Sequence, residues 1–186
     1  QDHGYDYSKA RRRGVEQNFN WRASDQHAVL AGISYRDYYA LETPDLPKPY
    51  DTGKGPQEQG LLYPNTTLPL KTFDTNYYSW SSYLQWQAQW TPSFSSMVGV
   101  RQDWYSTYGN STNPRLGVVW QPAAGNYLKL LYGEAFRAPS PEETLSAFGT
   151  FTGAKDASGL YIGRNFRTPN MDLNPEKSRN LSLTWD

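Results

Sequence analysis

SWSSYLQWQAQWTPSFSSMVGVRQDWYSTYGNSTNPRLGVVWQPAAGNYLKLLYGEAFRAP, residues 79–139, is the stretch whose reading decides the fold. From Ser79 the odd positions read Ser79, Ser81, Tyr83, Gln85, Gln87 and Gln89, and the even ones read Trp80, Ser82, Leu84, Trp86, Ala88 and Trp90. One side is nearly apolar and the other carries amides and hydroxyls, the period-two pattern of a strand with an oily and a wet face. Beyond the turn signal Thr91, Pro92, Ser93, the residues Val98, Val100 and Trp104 oppose Gly99, Arg101 and Asp103. A third run sets Leu116, Val118 and Trp120 against Arg115, Gly117 and Gln121, and a fourth sets Leu128, Leu130 and Tyr132 against Lys129, Leu131 and Gly133. Four neighbouring strands joined by short turns predict an antiparallel meander.

Tryptophan placement decides which face points where. A soluble sandwich turns its apolar face inward and fills it with Val, Ile and Leu. Here that face is rich in Trp, with Trp90 and Trp120 beside turns on one side of the sheet and Trp80 and Trp104 toward the other. Two aromatic girdles around an aliphatic band dress the outside of a transmembrane barrel, and the polar face then lines the lumen.

Working outward, residues 1–10 are polar without periodicity and read as a loop end, and Arg11, Arg12 and Arg13 read as a solvated strand end. Residues 14–22 alternate Val15, Gln17, Phe19 and Trp21 with Glu16, Asn18, Asn20 and Arg22. Residues 27–39 set Val29, Ala31, Ile33 and Tyr35 against Leu30, Gly32, Ser34 and Arg36, and the last strand sets Leu181, Leu183 and Trp185 against Asn180, Ser182 and Thr184. The fold class expected is therefore all-β: an up-and-down meander of about seven strands, part of a transmembrane β-barrel. Short connections at 23–25, 91–93 and 121–126 alternate with longer ones at 41–75, 106–113 and 134–174. Outer-membrane barrels have short periplasmic turns and long extracellular loops, so loops 41–75 and 134–174 are expected to be extracellular.

Composition excludes several classes. Lys plus Arg and Asp plus Glu are both 18 in 186 residues, which leaves no net field for nucleic acid. Mean hydropathy of -0.80 and the lack of a long apolar run exclude helical membrane spans but not barrel strands, which are half polar. There is no Cys, and the two histidines, His3 and His27, are far apart, so neither a metal cluster nor a nucleophilic triad has material. Glu142 and Glu143 are adjacent rather than flanking, and Arg101 with Asp103 reads as a lumen ion pair. No catalytic residue, metal ligand or cofactor is expected, and the protein is not expected to be an enzyme.

The segments YLQWQAQWTPSFSSMVGVRQDWYS, NPRLGVVWQP, LKLLYGEAFRAP and NMDLNPEKSRNLSL resemble, in order and spacing, consecutive pieces of the barrel of TonB-dependent outer-membrane receptors. In that family a tyrosine-glycine strand end runs into Phe-Arg-Ala-Pro, here Phe136, Arg137, Ala138 and Pro139. An Asn-Pro-x-Leu-x-Pro-Glu stretch then opens the next strand, here Asn170, Met171, Asp172, Leu173, Asn174, Pro175 and Glu176, with Met171 where proline is usual. The resemblance covers residues 76–186. It implies that 1–186 is a piece of a plugged barrel of about 22 strands, without its plug domain. It further implies a receptor and transporter in the bacterial outer membrane for a scarce nutrient, a ferric siderophore first, with cobalamin or haem as other cargoes. The partners implied are outer-membrane lipid and lipopolysaccharide, the metal chelate, and the TonB complex acting through the plug.

Within the long loops, Tyr50, Tyr63, Phe148, Phe151, Tyr161 and Phe166 offer rigid aromatic area, and Arg164 and Arg167 offer planar cationic donors. Tyr161, Arg164 and Arg167 are the candidate ligand-binding core. Arg137 is expected to be structural first: Pro139 holds Ala138 extended and fixes the direction of the arginine, which should pair with a carboxylate or loop carbonyls. The alternative to a receptor is a secreted, Trp-rich carbohydrate-binding β-sandwich whose exposed rings stack on sugars. Against it, each of the seven Trp falls on the side of its own strand that reads as outward.

Overall fold

The computed structural model describes residues 5–46, 51, 53–54, 62–63, 65–69 and 73–186, with the side chains of 5–7, 43–46 and 148 excepted. Strands β1 (Tyr5–Arg22), β2 (His27–Leu46), β3 (Phe73–Thr91), β4 (Phe94–Tyr105), β5 (Gly109–Ala123), β6 (Asn126–Arg137) and β9 (Glu176–Trp185) form one sheet in that spatial order. Between β6 and β9 lie a short helix α1 (Pro141–Leu145) and a separate hairpin, β7 (Phe148–Lys155) with β8 (Tyr161–Arg167). The ladders from β3 through β9 are antiparallel, as the alternating runs require. Contacts divide the chain into two units. One holds 13–37, 77–138 and 174–186, and the other holds 1–12, 38–76 and 139–173.

Several boundaries differ from the sequence expectation, each for a physical reason. The segment read as a loop end at 1–10 is already strand from Tyr5. The connection expected over 106–113 shrinks to 106–108, because Gly109, at φ 85°, turns the chain back so that it pairs with Tyr105. Ser111 and Asn113 looked like loop residues, but they are buried strand residues opposite Asp103 and Arg101. On a wet sheet face a polar run is strand-compatible. Strand β6 runs past the Tyr132-Gly133 dipeptide to Arg137, since Phe136 and Arg137 pair with Lys177 and Glu176.

The register lines up the two faces of the seven-stranded sheet. Apolar rows cross the sheet as Leu84, Val100 and Pro114; as Trp86, Val98, Leu116, Tyr132 and Leu181; and as Phe94, Trp120, Leu128 and Trp185. All seven Trp are exposed, from 39% at Trp104 to 65% at Trp21. Among the described residues only Leu41 and Ala88 are buried hydrophobics, so nothing like the core of a soluble sandwich exists. That corrects the carbohydrate-binding sandwich alternative: its apolar face would be closed under a second sheet.

Aromatics gather at both ends of the apolar face. At one end Tyr35 packs on Trp80 (ring centroids 4.7 Å apart), and Tyr78 packs on Trp104 (5.4 Å). At the end bearing the short turns, Trp86 and Trp90 meet edge to face at 5.4 Å with His27 against both, and Trp90 donates its indole N–H to Ser96 Oγ (2.8 Å). Such rings carry apolar bodies with polar tips, suited to a boundary between oil and water.

The opposite face is held by polar side chains. Asp103 is 1% exposed, yet it accepts from Ser81 Oγ (2.6 Å) and from Arg101 through Nε (2.9 and 3.0 Å) and Nη2 (2.8 Å). The expected Arg101–Asp103 ion pair is thus present, with Ser81 as its third member. Arg36 pairs with Glu16 across β2 and β1 at 3.2 Å.

Candidate ligand-binding site

Loop 134–174 carries its own architecture, where the sequence reading saw only a long connection. Ser140 caps α1: its hydroxyl accepts from Glu143 N, and the Glu143 carboxylate accepts from Ser140 N (2.7 Å), with Pro141 at the first helical position. The β7–β8 hairpin closes on Asp156, whose carboxylate accepts from Ser158 N (2.8 Å) and Leu160 N (3.0 Å), while Gly159 takes φ 80°. Phe166 lies flat across Gly149 and Gly163. A Cβ at either glycine would come within 2.3 to 2.5 Å of the ring, so the strand can seat that phenyl only over bare backbone.

The connection expected over 41–75 is shorter, since β2 runs to Leu46 and β3 starts at Phe73, and within it Tyr63 and Thr67 dock on this hairpin. Leu62 and Pro69 bridge, and Asn65 takes φ 62° in the bend where Thr66 N donates to Tyr63 O and Tyr63 N to Leu68 O. Tyr63 inserts against Phe151 (5.5 Å, edge to face) and Phe166 (6.3 Å), and donates its hydroxyl to Ala147 O (3.1 Å). Burial pushes the Tyr63 phenol above its ordinary pKa. Tyr50 lies outside the described residues, as does the side chain of Phe148.

The three candidate residues have different surroundings. Tyr161 Oη accepts from Thr67 N (3.2 Å) and shares a hydrogen bond with Thr67 Oγ1 (3.3 Å); Lys155 Nζ stands 4.6 Å from the centre of its ring. Hydrogen bonds from Thr67, together with the Lys155 charge, lower the Tyr161 pKa below the ordinary tyrosine value. Arg167 is bound to Glu142 at the start of α1 (2.5 Å), which ties hairpin to helix. Arg164 is exposed and has no hydrogen bond or ion pair among the described residues. Thr150 pairs with Asn165 and Phe151 with Gly163, which makes Arg164 the extra residue of a β-bulge. Bulges re-aim side chains, and this one presents a free guanidinium beside an aromatic cluster.

The sequence reading missed Lys155 and Thr67. A signal for the hairpin was present: the DASG turn lies between two alternating runs, FGTFTGAK and YIGRNFR. Nothing in one sequence could pair Thr67 with Tyr161, which are 94 positions apart. Arg137, expected to be structural, pairs with Glu176 across the ladder through Nε (3.1 Å) and Nη2 (3.2 Å), so the two motifs meet at one rung.

The titration of Tyr161 is directly testable. Its lowered pKa means that the hairpin favours the phenolate; that contribution is complete only above the unfolded-state pKa and is lost as pH falls through the folded one. The ultraviolet phenolate signal of the protein minus that of Tyr161→Phe should titrate below the ordinary tyrosine range. A difference midpoint at or above that range would contradict the Thr67 and Lys155 arrangement.

A sequence model described as "TonB dependent receptor-like, beta-barrel" matches residues 1–186. Among solved structures, the siderophore receptor PirA from Acinetobacter baumannii superposes with TM-score 0.65 at 18% identity, over 97% of this chain and 25% of that one. PirA from Pseudomonas aeruginosa gives 0.63 at 17% identity, over 96% and 29%. A variant of the ferric enterobactin receptor PfeA from Pseudomonas aeruginosa, in complex with enterobactin, gives 0.65 at 16%, over 95% and 24%. The chain thus spans about a quarter of the length of the solved receptors it matches. No curated protein sequence is a match.

Proposed function

The chain belongs to the TonB-dependent receptor family, of whose β-barrel it forms a part, and from that premise we propose that it supplies wall and ligand-capturing loops to an outer-membrane receptor for a ferric siderophore. The observation that carries this reading is the family match along the whole chain, joined to a hairpin that presents aromatic area and a free cation together. The names of the similar solved structures, siderophore receptors of two bacteria, support the cargo class. In this reading the apolar face meets lipid and lipopolysaccharide, the polar face lines the lumen, and 41–75 and 134–174 are extracellular. A TonB complex acts through a plug domain elsewhere in the receptor.

Capture needs no covalent chemistry from these residues. The cluster of Tyr63, Phe151 and Phe166 gives a preformed apolar surface, with ring centroids 4.8 Å apart for the two phenylalanines. Tyr161, its hydroxyl held by Thr67, seats the Lys155 ammonium against its ring, and Lys155 with Arg164 on its bulge offers cationic groups that suit the anionic oxygens of a chelate. Arg167, held by Glu142, sets the hairpin against α1. In the complete receptor, Arg164→Ala combined with Tyr161→Ala should weaken binding of the true cargo by about tenfold or more. Titration with ferric siderophores, cobalamin and haem identifies that cargo. Unchanged affinity for whichever one binds would remove the hairpin from the site, and cobalamin or haem binding alone would replace the siderophore.

A further inference from the structure

The apolar face does not keep one width across the sheet. On β3, Trp80 stands ten positions from Trp90, and on β4, Trp104 stands ten positions from Phe94, so an aromatic ring marks each end of the outward face on both strands. At about 3.3 Å per residue and a tilt of about 40°, ten positions rise roughly 25 Å, the height of the apolar band of a transmembrane barrel. On β3, β4 and β5 the first polar residues beyond the aliphatic run are uncharged: Ser82, Gln102 and Thr112, each eight positions from Trp90, Phe94 or Trp120. Toward β9 the band is cut shorter. Outward residues of β6 run Leu128, Leu130, Tyr132 and then Glu134, and those of β9 run Trp185, Leu183, Leu181 and then Arg179 and Lys177. Charge thus begins six positions from Leu128 and Trp185, roughly 15 Å above them by the same rise.

Glu134 and Arg179 form one rung of the ladder, with Nε 3.2 Å from Oε1, and Tyr132 donates its hydroxyl to the same carboxylate. Lys177, on the next outward rung, leaves the patch with two cations against one acid. Charged groups are expensive in hydrocarbon. Arg and Lys can snorkel toward the headgroups along their flexible stems, but a glutamate has no such reach, and the side chain of Glu134 is only 19% exposed. An apolar stretch shorter than the hydrocarbon it crosses is accommodated by thinning of the bilayer beside it.

We infer that the outer leaflet dips along β6 and β9, and that the phosphate of an outer-leaflet lipid is drawn down onto Arg179 and Lys177. This rests on the reading of the apolar face as the one that meets lipid. The two cations are two positions apart on one strand face, roughly 7 Å along the backbone, close enough for both to reach one phosphate. Glu134 meets Arg179 at Nε, which leaves the terminal guanidinium nitrogens for phosphate oxygens, and Lys177 adds a point charge. The ion pair with Glu134 then holds the guanidinium in place, and the phosphate answers the cation that Glu134 does not.

The test uses the complete receptor in phosphatidylcholine vesicles containing lipid A. Val98 and Leu181 lie in one outward row, each four positions from an inner aromatic residue, Phe94 or Trp185. Spin labels on Val98→Cys and Leu181→Cys report depth through collision with a water-soluble nickel chelate, and collision should be about threefold greater at 181. Equally low collision at the two sites would overturn the inference and leave the lipid-facing reading intact; equally high collision would overturn both. A second arm measures, by mass spectrometry, the lipid A retained on receptor extracted in detergent. Retention should fall about tenfold in Lys177→Gln combined with Arg179→Gln, and survive Lys177→Arg combined with Arg179→Lys, which separates loss of the site from loss of the fold. Wild-type receptor should retain dephosphorylated lipid A no better than the glutamine variant does. Equal retention of lipid A by wild type and the glutamine variant, its displacement by inorganic phosphate, or a carboxylate of an adjoining strand seated on Lys177 and Arg179 would overturn the inference. Failure of the cargo reading would leave both arms unchanged, since neither contains a chelate.

Discussion

Leu84→Arg in the complete receptor, refolded in lipid, is expected to lower the free energy of unfolding by about 2–4 kcal/mol, the range for a cation at the bilayer midplane on a lipid-facing strand position. Leu84 is 53% exposed and faces Val100 across the β3–β4 ladder, in the aliphatic band between the two aromatic ends. No carboxylate among its row neighbours Val100 and Pro114 could receive the new charge. Gln87→Arg, three residues along the same strand on the polar face, should cost under about 1 kcal/mol, because water can solvate the guanidinium there. Val118→Arg is expected to behave as Leu84→Arg does. Urea titration of the three variants reads the differences, and equal costs on the two faces would mean that the apolar face does not meet lipid.

Asp103→Ala should cost about 3 kcal/mol, at the lower end for breaking a buried ion pair, because Arg101 keeps a third of its side chain in solvent. The aspartate is closed off on every side, and its removal strands the Arg101 guanidinium and the Ser81 hydroxyl at once. Asp103→Asn should cost less, since the amide oxygen can still accept from Ser81. The double change Arg101→Met with Asp103→Leu should recover most of the loss, as an apolar pair leaves no buried charge behind. A loss below about 0.5 kcal/mol for Asp103→Ala would show that the network is ornamental to stability.

Much of this molecule was legible because a strand's side-chain period is two. Parity alone put Trp80, Trp86, Trp104 and Trp120 on one face and Ser81, Arg101 and Asp103 on the other, and the ladders preserve that division across four interfaces. Family-specific runs such as Phe136 to Pro139 were readable as well, since local backbone constraints act within a few residues. Boundaries were less legible: Ser111 and Asn113 look like loop residues until the neighbouring strand shows them buried opposite Asp103 and Arg101. What only the tertiary structure decided were meetings across long stretches of chain. Thr67 bonds to Tyr161, Tyr63 packs on Phe151, Arg137 takes Glu176, and Arg179 takes Glu134. Periodicity states which way a side chain points but not what stands opposite it; register and loop closure choose the partner, and they depend on the packing of the whole sheet and its loops.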